Sequence, residues 1–180
     1  AKTAKAFTII DRGGIKVGIV GANTPETIEQ VFPGNLDYKD ATGTKKTIQI
    51  DPGVVGVNKA IVAAKDAGAE IVVVLIHQGW SENSDGVAKG LYNDLAAKIK
   101  GASVIYGGHS HQTFSTLVPG TQRVFGTLVG QVLNSGVEYT RSQICINTDT
   151  DKVIGSSIEV IKKAAISTVA ADATAAALVK

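Results

Sequence analysis

Two apolar runs constrain this 180-residue chain more tightly than any other feature: Ile71-Val72-Val73-Val74-Leu75-Ile76 and Val104-Ile105-Tyr106. Neither alternates as a strand with one wet face does, so both read as strands buried on two sides. Each is entered from a helical stretch that a glycine closes. The first stretch starts at Asp51-Pro52 and runs to about Ala67, before Gly68; the second runs from about Ala88 to Lys100, before Gly101. Two successive helix-to-strand units predict βαβ geometry and parallel pairing in the middle of the chain.

The flanks carry different signals. Phe7 to Asp11 and Ile15 to Val20 bracket Arg12-Gly13-Gly14 and predict an opening hairpin. Thr24-Pro25-Glu26 offers an N-cap, a proline for the first helical position and an early acid, which predicts a short helix from Thr27 to Phe32 that Pro33-Gly34 ends. The polar stretch from Asn35 to Thr47 reads as a surface excursion. After Thr113 the pattern turns to short strands, about Phe114 to Val118, Arg123 to Leu128, Val137 to Asn147 and Lys152 to Val160, and predicts a mainly antiparallel region. The expected class is therefore α/β.

Composition excludes some partners. A net charge of +2 with scattered lysines and 5% aromatic residues gives neither the basic footprint nor the stacking platform of a nucleic-acid binder. No apolar segment is long enough to span a membrane. Cys145 has no internal partner and sits between Ile144 and Ile146, so it reads as a small buried hydrophobe. Because the chain has no methionine, Ala1 is expected to arise by cleavage, processing or trimming of a longer chain. Thr168 to Lys180 has high helix propensity with no capping glycine, and reads as a helix cut short.

The chemistry points to the histidines. There are three, His77 directly after the first apolar run, and His109 and His111 just after the second. Ligands of an open α/β sheet collect beyond the carboxyl ends of its strands, so histidines delivered by two strands can converge there and bind metal. Other motifs fit poorly. Gly14, Gly18 and Gly21 have the wrong spacing for a dinucleotide fingerprint, and no glycine-rich run ends in Gly-Lys-Ser or Gly-Lys-Thr. Gly108-His109-Ser110-His111-Gln112 lacks the second glycine of a nucleophile elbow, and no histidine follows His111 to complete a triad.

Gly107-Gly108-His109-Ser110-His111 resembles the Gly-His-x-His motif of calcineurin-like metallophosphoesterases, in particular their 5'-nucleotidase branch. Ile15 to Gly21 with Asn23-Thr24-Pro25-Glu26-Thr27 is similar to that family's strand and Thr-Pro-Glu-Thr turn. Val73 to Gly79 resembles its His-x-Gly strand end, and Asn134 to Tyr139 its late glycine-rich turn. The resemblance runs from about Phe7 to Lys162. It implies a partial metallophosphoesterase sandwich in which His77 and His109 share one divalent ion and His111 serves a second, the metal being zinc, manganese or iron. The implied activity is hydrolysis of phosphomonoesters, with nucleotides as the implied substrates, by hydroxide that the paired ions activate.

The same resemblance marks what this chain lacks. The family's Asp-x-His, Gly-Asp and Gly-Asn-His-Glu motifs, which supply the remaining ligands and the bridging aspartate, have no counterpart here; Gly34-Asn35-Leu36 reads as a turn. Residues 1–165 are thus expected to form the C-terminal half of a metallophosphoesterase domain and residues 166–180 the start of a linker helix. The chain alone is expected to be inactive or nearly so, its partner being the missing half-domain or another chain. A non-catalytic binding module on the same scaffold is the alternative. Asp40 and Asp85 read as turn-forming aspartates, Glu26 as a helix-start residue, and Trp80 equally as the lining of a substrate cleft or as a residue partly buried against its loop. A secreted, periplasmic or cell-surface location is implied by the family only.

Overall fold

A computed structural model describes residues 5–50, 54–81, 89–117, 127–162 and 169–178. The chain opens with the expected hairpin, β1 (Phe7–Arg12) and β2 (Ile15–Ala22), whose turn places Gly13 and Gly14 at positive φ. Two helix-to-strand units follow, α2 (Val54–Asp66) into β5 (Ile71–Ile76) and α3 (Leu91–Lys98) into β6 (Val104–Tyr106). Strands β7 (Phe114–Leu117) and β8 (Leu128–Gln131) complete a six-stranded sheet of order β1-β2-β5-β6-β8-β7. The four central strands, β2, β5, β6 and β8, are parallel, and β1 and β7 flank them antiparallel.

Register explains the core. Val20 pairs with Val74, Val74 with Ile105 and Ile105 with Val129, which sets a row of β-branched side chains across the parallel strands, each 1% exposed or less. Helix α2 presents Ala60, Ile61 and Ala64 to this face, and α3 presents Tyr92, Leu95 and Ala96. These spacings are those of one helical stripe. Burying each Val or Ile of the row is worth roughly 1.5–3 kcal/mol. Helix α2 ends in a Schellman motif: Ala69 N–H donates to Ala64 O (2.9 Å) and Gly68 N–H to Lys65 O (2.8 Å), with Gly68 at φ 94°.

The opposite face is covered unevenly. Strands β9 (Glu138–Asn147) and β10 (Lys152–Lys162) form an antiparallel pair that packs on β7 and β8, with Ile158 and Thr140 closing over Gly130 and Tyr106 Oη within 2.6 Å of Ser142 Oγ. The run Ile71–Ile76, expected to be buried on two sides, is fully buried on one face only: Val73 is half-buried and Leu75 stays 46% exposed, because β9 and β10 cover β7 and β8 and stop short of β5.

Some expectations are refined and others corrected. The surface excursion follows a 3-10 turn (Pro33–Leu36) and contains a small, mostly exposed hairpin, β3 (Asp37–Lys39) with β4 (Lys45–Thr47). Lys45 and Thr47 bind Asp37 across it and hold that carboxyl below its usual range. Strand β8, Leu128–Gln131, shares only Leu128 with the strand expected at Arg123 to Leu128, and it is parallel and buried throughout, so it joins the main sheet and not an antiparallel region. Residues 118–126, most of that expected strand, lie outside the described residues, as do Asp51, Pro52 and Asp85. Helix α1 (Thr27–Gln30) is one turn long and has no side-chain cap; Thr24 acts one step earlier, its Oγ1 accepting from Glu26 N–H (3.1 Å). Cys145 is exposed, because its position in β9 faces away from the main sheet. The terminal helix, α4, spans Ala173–Leu178.

Candidate metal centre

All four parallel strands end at one edge, and the chain leaving three of them is laced together there. His77 N–H donates to Ala22 O (3.1 Å), extending the β2–β5 ladder by one residue. Gly107 N–H donates to Gly130 O (2.8 Å) and Gly108 N–H to Gln78 O (3.0 Å), so the segment after β6 is fixed to the ends of both neighbours. Gly107 has no room for a side chain: a Cβ there would lie 2.5 Å from Tyr92 Cζ and 2.6 Å from Gln78 O.

His109 and His111 both adopt positive φ, 75° and 56°. A non-glycine residue rarely does so, and each such residue costs on the order of 1–3 kcal/mol unless its surroundings impose it. The surroundings here are a buried amide strut. Gln131, 1% exposed at the end of β8, accepts from Trp80 N–H through Oε1 (3.1 Å) and donates through Nε2 to Ser110 Oγ (2.9 Å). One side chain thereby ties the loop of His109 to the segment of His77. Thr24 Oγ1 donates to Gln78 Oε1 in a second buried link between β2 and β5.

His77 Nε2 and His109 Nδ1 meet at 3.2 Å, their rings edge to face with centroids 5.0 Å apart. The far nitrogen of His109, Nε2, lies 3.1 Å from Glu26 Oε2 and 3.4 Å from Gln30 Nε2. His111 is exposed, and no hydrogen bond links it to His77 or His109. Two of the three expected ligands are thus brought together. Two imidazole nitrogens sharing a tetrahedral ion at 2.0–2.1 Å stand about 3.4 Å apart, so the His77–His109 pair fits one edge of such a site. Imidazole suits zinc and iron in kind, whereas manganese favours oxygen ligands. Among the described residues, no group of three or more His, Cys, Asp and Glu side chains is poised around one ion. Asp40 belongs to no such group, and its Oδ1 accepts from Thr42 and Thr44 of its own turn, as expected of a turn-forming aspartate.

Glu26, Gln30, Gln78 and Gln131 were not anticipated from the sequence. Gln131 carried the signal that marked His77, a polar residue closing a buried run. Glu26 and Gln30 are four apart, hence on one side of a helical turn. Trp80 is fully buried against Tyr92, ring centroids 4.7 Å apart, so it lines no cleft.

Tyr92 supports the site from below, its Oη donating toward Ile105 O (3.2 Å) and Gly130 O (3.1 Å). Burial pushes its phenol far above the ordinary value of 10.0, opposed by a hydrogen bond from Gly107. The folded state therefore keeps a proton that the unfolded chain releases. Stability from this group is complete below pH about 10 and falls as pH rises beyond it, by up to about 1.4 kcal/mol per pH unit. Urea melts between pH 9 and 11 are expected to show that slope, and Tyr92→Phe to flatten it.

Residues 1–120 match the family model described as bacterial capsule synthesis protein PGA_cap. The chain is 31% identical over 113 residues to the trifunctional nucleotide phosphoesterase protein YfkN of Bacillus subtilis, covering 59% of this chain and 7% of that one. It is 29% identical over 119 residues to the snake venom 5'-nucleotidase of Crotalus adamanteus, covering 66% of this chain and 17% of that one. This chain thus spans less than a fifth of the length of either curated relative. The crystal structure of calcineurin-like phosphoesterase YfkN superposes with a TM-score of 0.59 at 23% identity, over 88% of this chain and 51% of that one, a likeness of fold. The family model covers two thirds of the chain, which therefore belongs to the PGA_cap family, and its fold is like that of a calcineurin-like phosphoesterase.

Proposed function

We propose that this chain supplies part of a two-metal phosphomonoesterase centre, with His77 and His109 binding one divalent ion and His111 the other, and that its substrates are nucleotide phosphomonoesters. The observation that carries the reading is the convergence of His77 Nε2 and His109 Nδ1 at 3.2 Å, at the carboxyl edge of the sheet. The relatives named as nucleotide phosphoesterase and 5'-nucleotidase support the substrate class. When bound, divalent ions would supply Lewis acidity for hydrolytic attack at phosphorus and offset phosphoryl charge.

The chain's own residues do the positioning. The Gln131 strut and the Gly107 and Gly108 amides hold the His109 loop against the His77 segment, so the two rings stand side by side before any ligand arrives. Such preorganisation lowers the cost of assembling the site. Three imidazoles without a bridging carboxylate carry no charge to offset two divalent ions. We infer that residues 1–165 form the C-terminal half of the catalytic domain, that residues 166–180 begin a linker, and that turnover needs ligands from a further segment or chain. The snake venom relative and the family at large favour an extracytoplasmic location.

Elemental mass spectrometry after exposure to zinc and to manganese tests this, on the 180-residue chain and on its His109→Ala variant. One weakly held ion or none is expected, with any bound ion lost in the variant. Two tightly held ions per chain would mean that the site is already complete. Binding without turnover after the missing ligands are supplied would favour a non-catalytic binding module.

A further inference from the structure

We propose that Glu26 is a positioning carboxylate that sets the tautomer of His109, placing the ring proton on Nε2 and leaving Nδ1, the nitrogen beside His77, as the lone-pair donor. A carboxylate only accepts hydrogen bonds, so the 3.1 Å contact between Glu26 Oε2 and His109 Nε2 requires the proton on that nitrogen. In the neutral imidazole Nδ1 is then an acceptor, and the 3.2 Å contact with His77 is completed by a proton on His77 Nε2. The three side chains form one directed chain, from His77 to His109 to Glu26.

Gln30 makes the selection specific. Its amide nitrogen lies 3.4 Å from the same His109 Nε2, and as a donor it suits the opposite tautomer. The two partners are one helical turn apart and compete for a single atom. Glu26 is closer and charged, and charge-assisted bonds are about twice as strong as neutral ones. The His109 side chain is 26% exposed, so the contact is only partly screened by solvent. The tautomer claim rests on hydrogen-bond geometry alone; its bearing on metal rests on the proposed ligand roles of His77 and His109. If those roles hold, Glu26 turns the correct nitrogen of His109 toward the ion, as outer carboxylates do for ligating histidines, and His77 moves its proton to Nδ1 when its Nε2 takes the ion.

Two-bond proton–nitrogen NMR correlation spectra of the metal-free chain, labelled at histidine nitrogens and recorded where imidazole is neutral, read each ring's tautomer directly. His109 is expected to favour the Nε2 proton by at least about tenfold. In Glu26→Ala, Gln30 becomes the sole partner, and both His109 and His77 are expected to shift together toward the Nδ1 proton. Glu26→Gln should move both in the same direction by less, and Gln30→Ala should leave both unchanged. A tautomer ratio in Glu26→Ala equal to the native one, with an unchanged amide spectrum, would overturn the proposal. A zinc titration separates the two readings. About 10–100-fold weaker binding in Glu26→Ala supports both, whereas a tautomer shift with zinc affinity unchanged keeps the role of Glu26 and removes that of the histidines as ligands.

Discussion

Gly79→Ala is expected to destabilise the fold by about 3 kcal/mol or more, more than most single substitutions do. A Cβ on Gly79 would lie 2.6 Å from Gln131 Oε1 and closer still to Gly108 O and Ser110 Oγ. None of these can step aside cheaply. Gly108 O is backbone, and it accepts from Ser110 N–H (2.9 Å) within the turn that presents His109. Gln131 is held at both ends, by Trp80 N–H and Ser110 Oγ. The methyl group must therefore either break the strut or push the His109 loop away from the His77 segment. For a chain of this size the loss corresponds to a fall in melting temperature of about 6–12 °C. Gly21→Ala is the control, since nothing lies within 4 Å of a Cβ there and its melt should stay close to native. A loss under about 1 kcal/mol for Gly79→Ala would show that the 108–110 loop yields easily, and with it that the histidine pair is not rigidly held.

The framework of this site was legible in the sequence for a reason that also explains what was not. Val72, Val74 and Ile105 are buried, and each belongs to a short, unbroken apolar run entered from a helix, the pattern of a central parallel strand even though Leu75 leaves the second face of β5 partly open. Once β5 and β6 were parallel neighbours, the convergence of His77 and His109 followed from the rule that strand ends share an edge. Strand β8 obeys the same rule, yet it is four residues long and two of its residues are Gly130 and Gln131, which carry no apolar periodicity. Its place beside β6 is set by tertiary pairing. Cys145 misled for a related reason: a strand in a two-stranded layer buries one face, and the alternating residue falls on the wet one. Glu26 was masked by a second, equally physical role. An acid beside a helix start is common, and only the fold brings it within 3.1 Å of a ring 83 residues away.

His77→Ala is expected to abolish at least about 100-fold of phosphomonoesterase turnover once the complete domain is assembled, while leaving its melting temperature close to native. The size follows from a comparison of roles. Changing an outer partner of a metal ligand costs about 10–100-fold in affinity or activity, and removing a ligand itself should exceed that. The unchanged stability follows from exposure, since the His77 side chain is solvent-facing and its truncation removes little packing, unlike that of its fully buried neighbour Trp80. Hydrolysis of a chromogenic phosphomonoester, with zinc or manganese supplied, gives the rate, and elemental analysis of the same samples gives the ion count. If His77 and His109 hold one ion together, His77→Ala with His109→Ala should lose no more than either change alone, because residues that act as a unit are non-additive. His111→Ala should remove a different ion and leave the pair's own ion in place. Additive losses at His77 and His109, or full activity in His77→Ala, would place the chemistry elsewhere on this edge of the sheet and reduce the histidine contact at 3.2 Å to a hydrogen bond between neighbours.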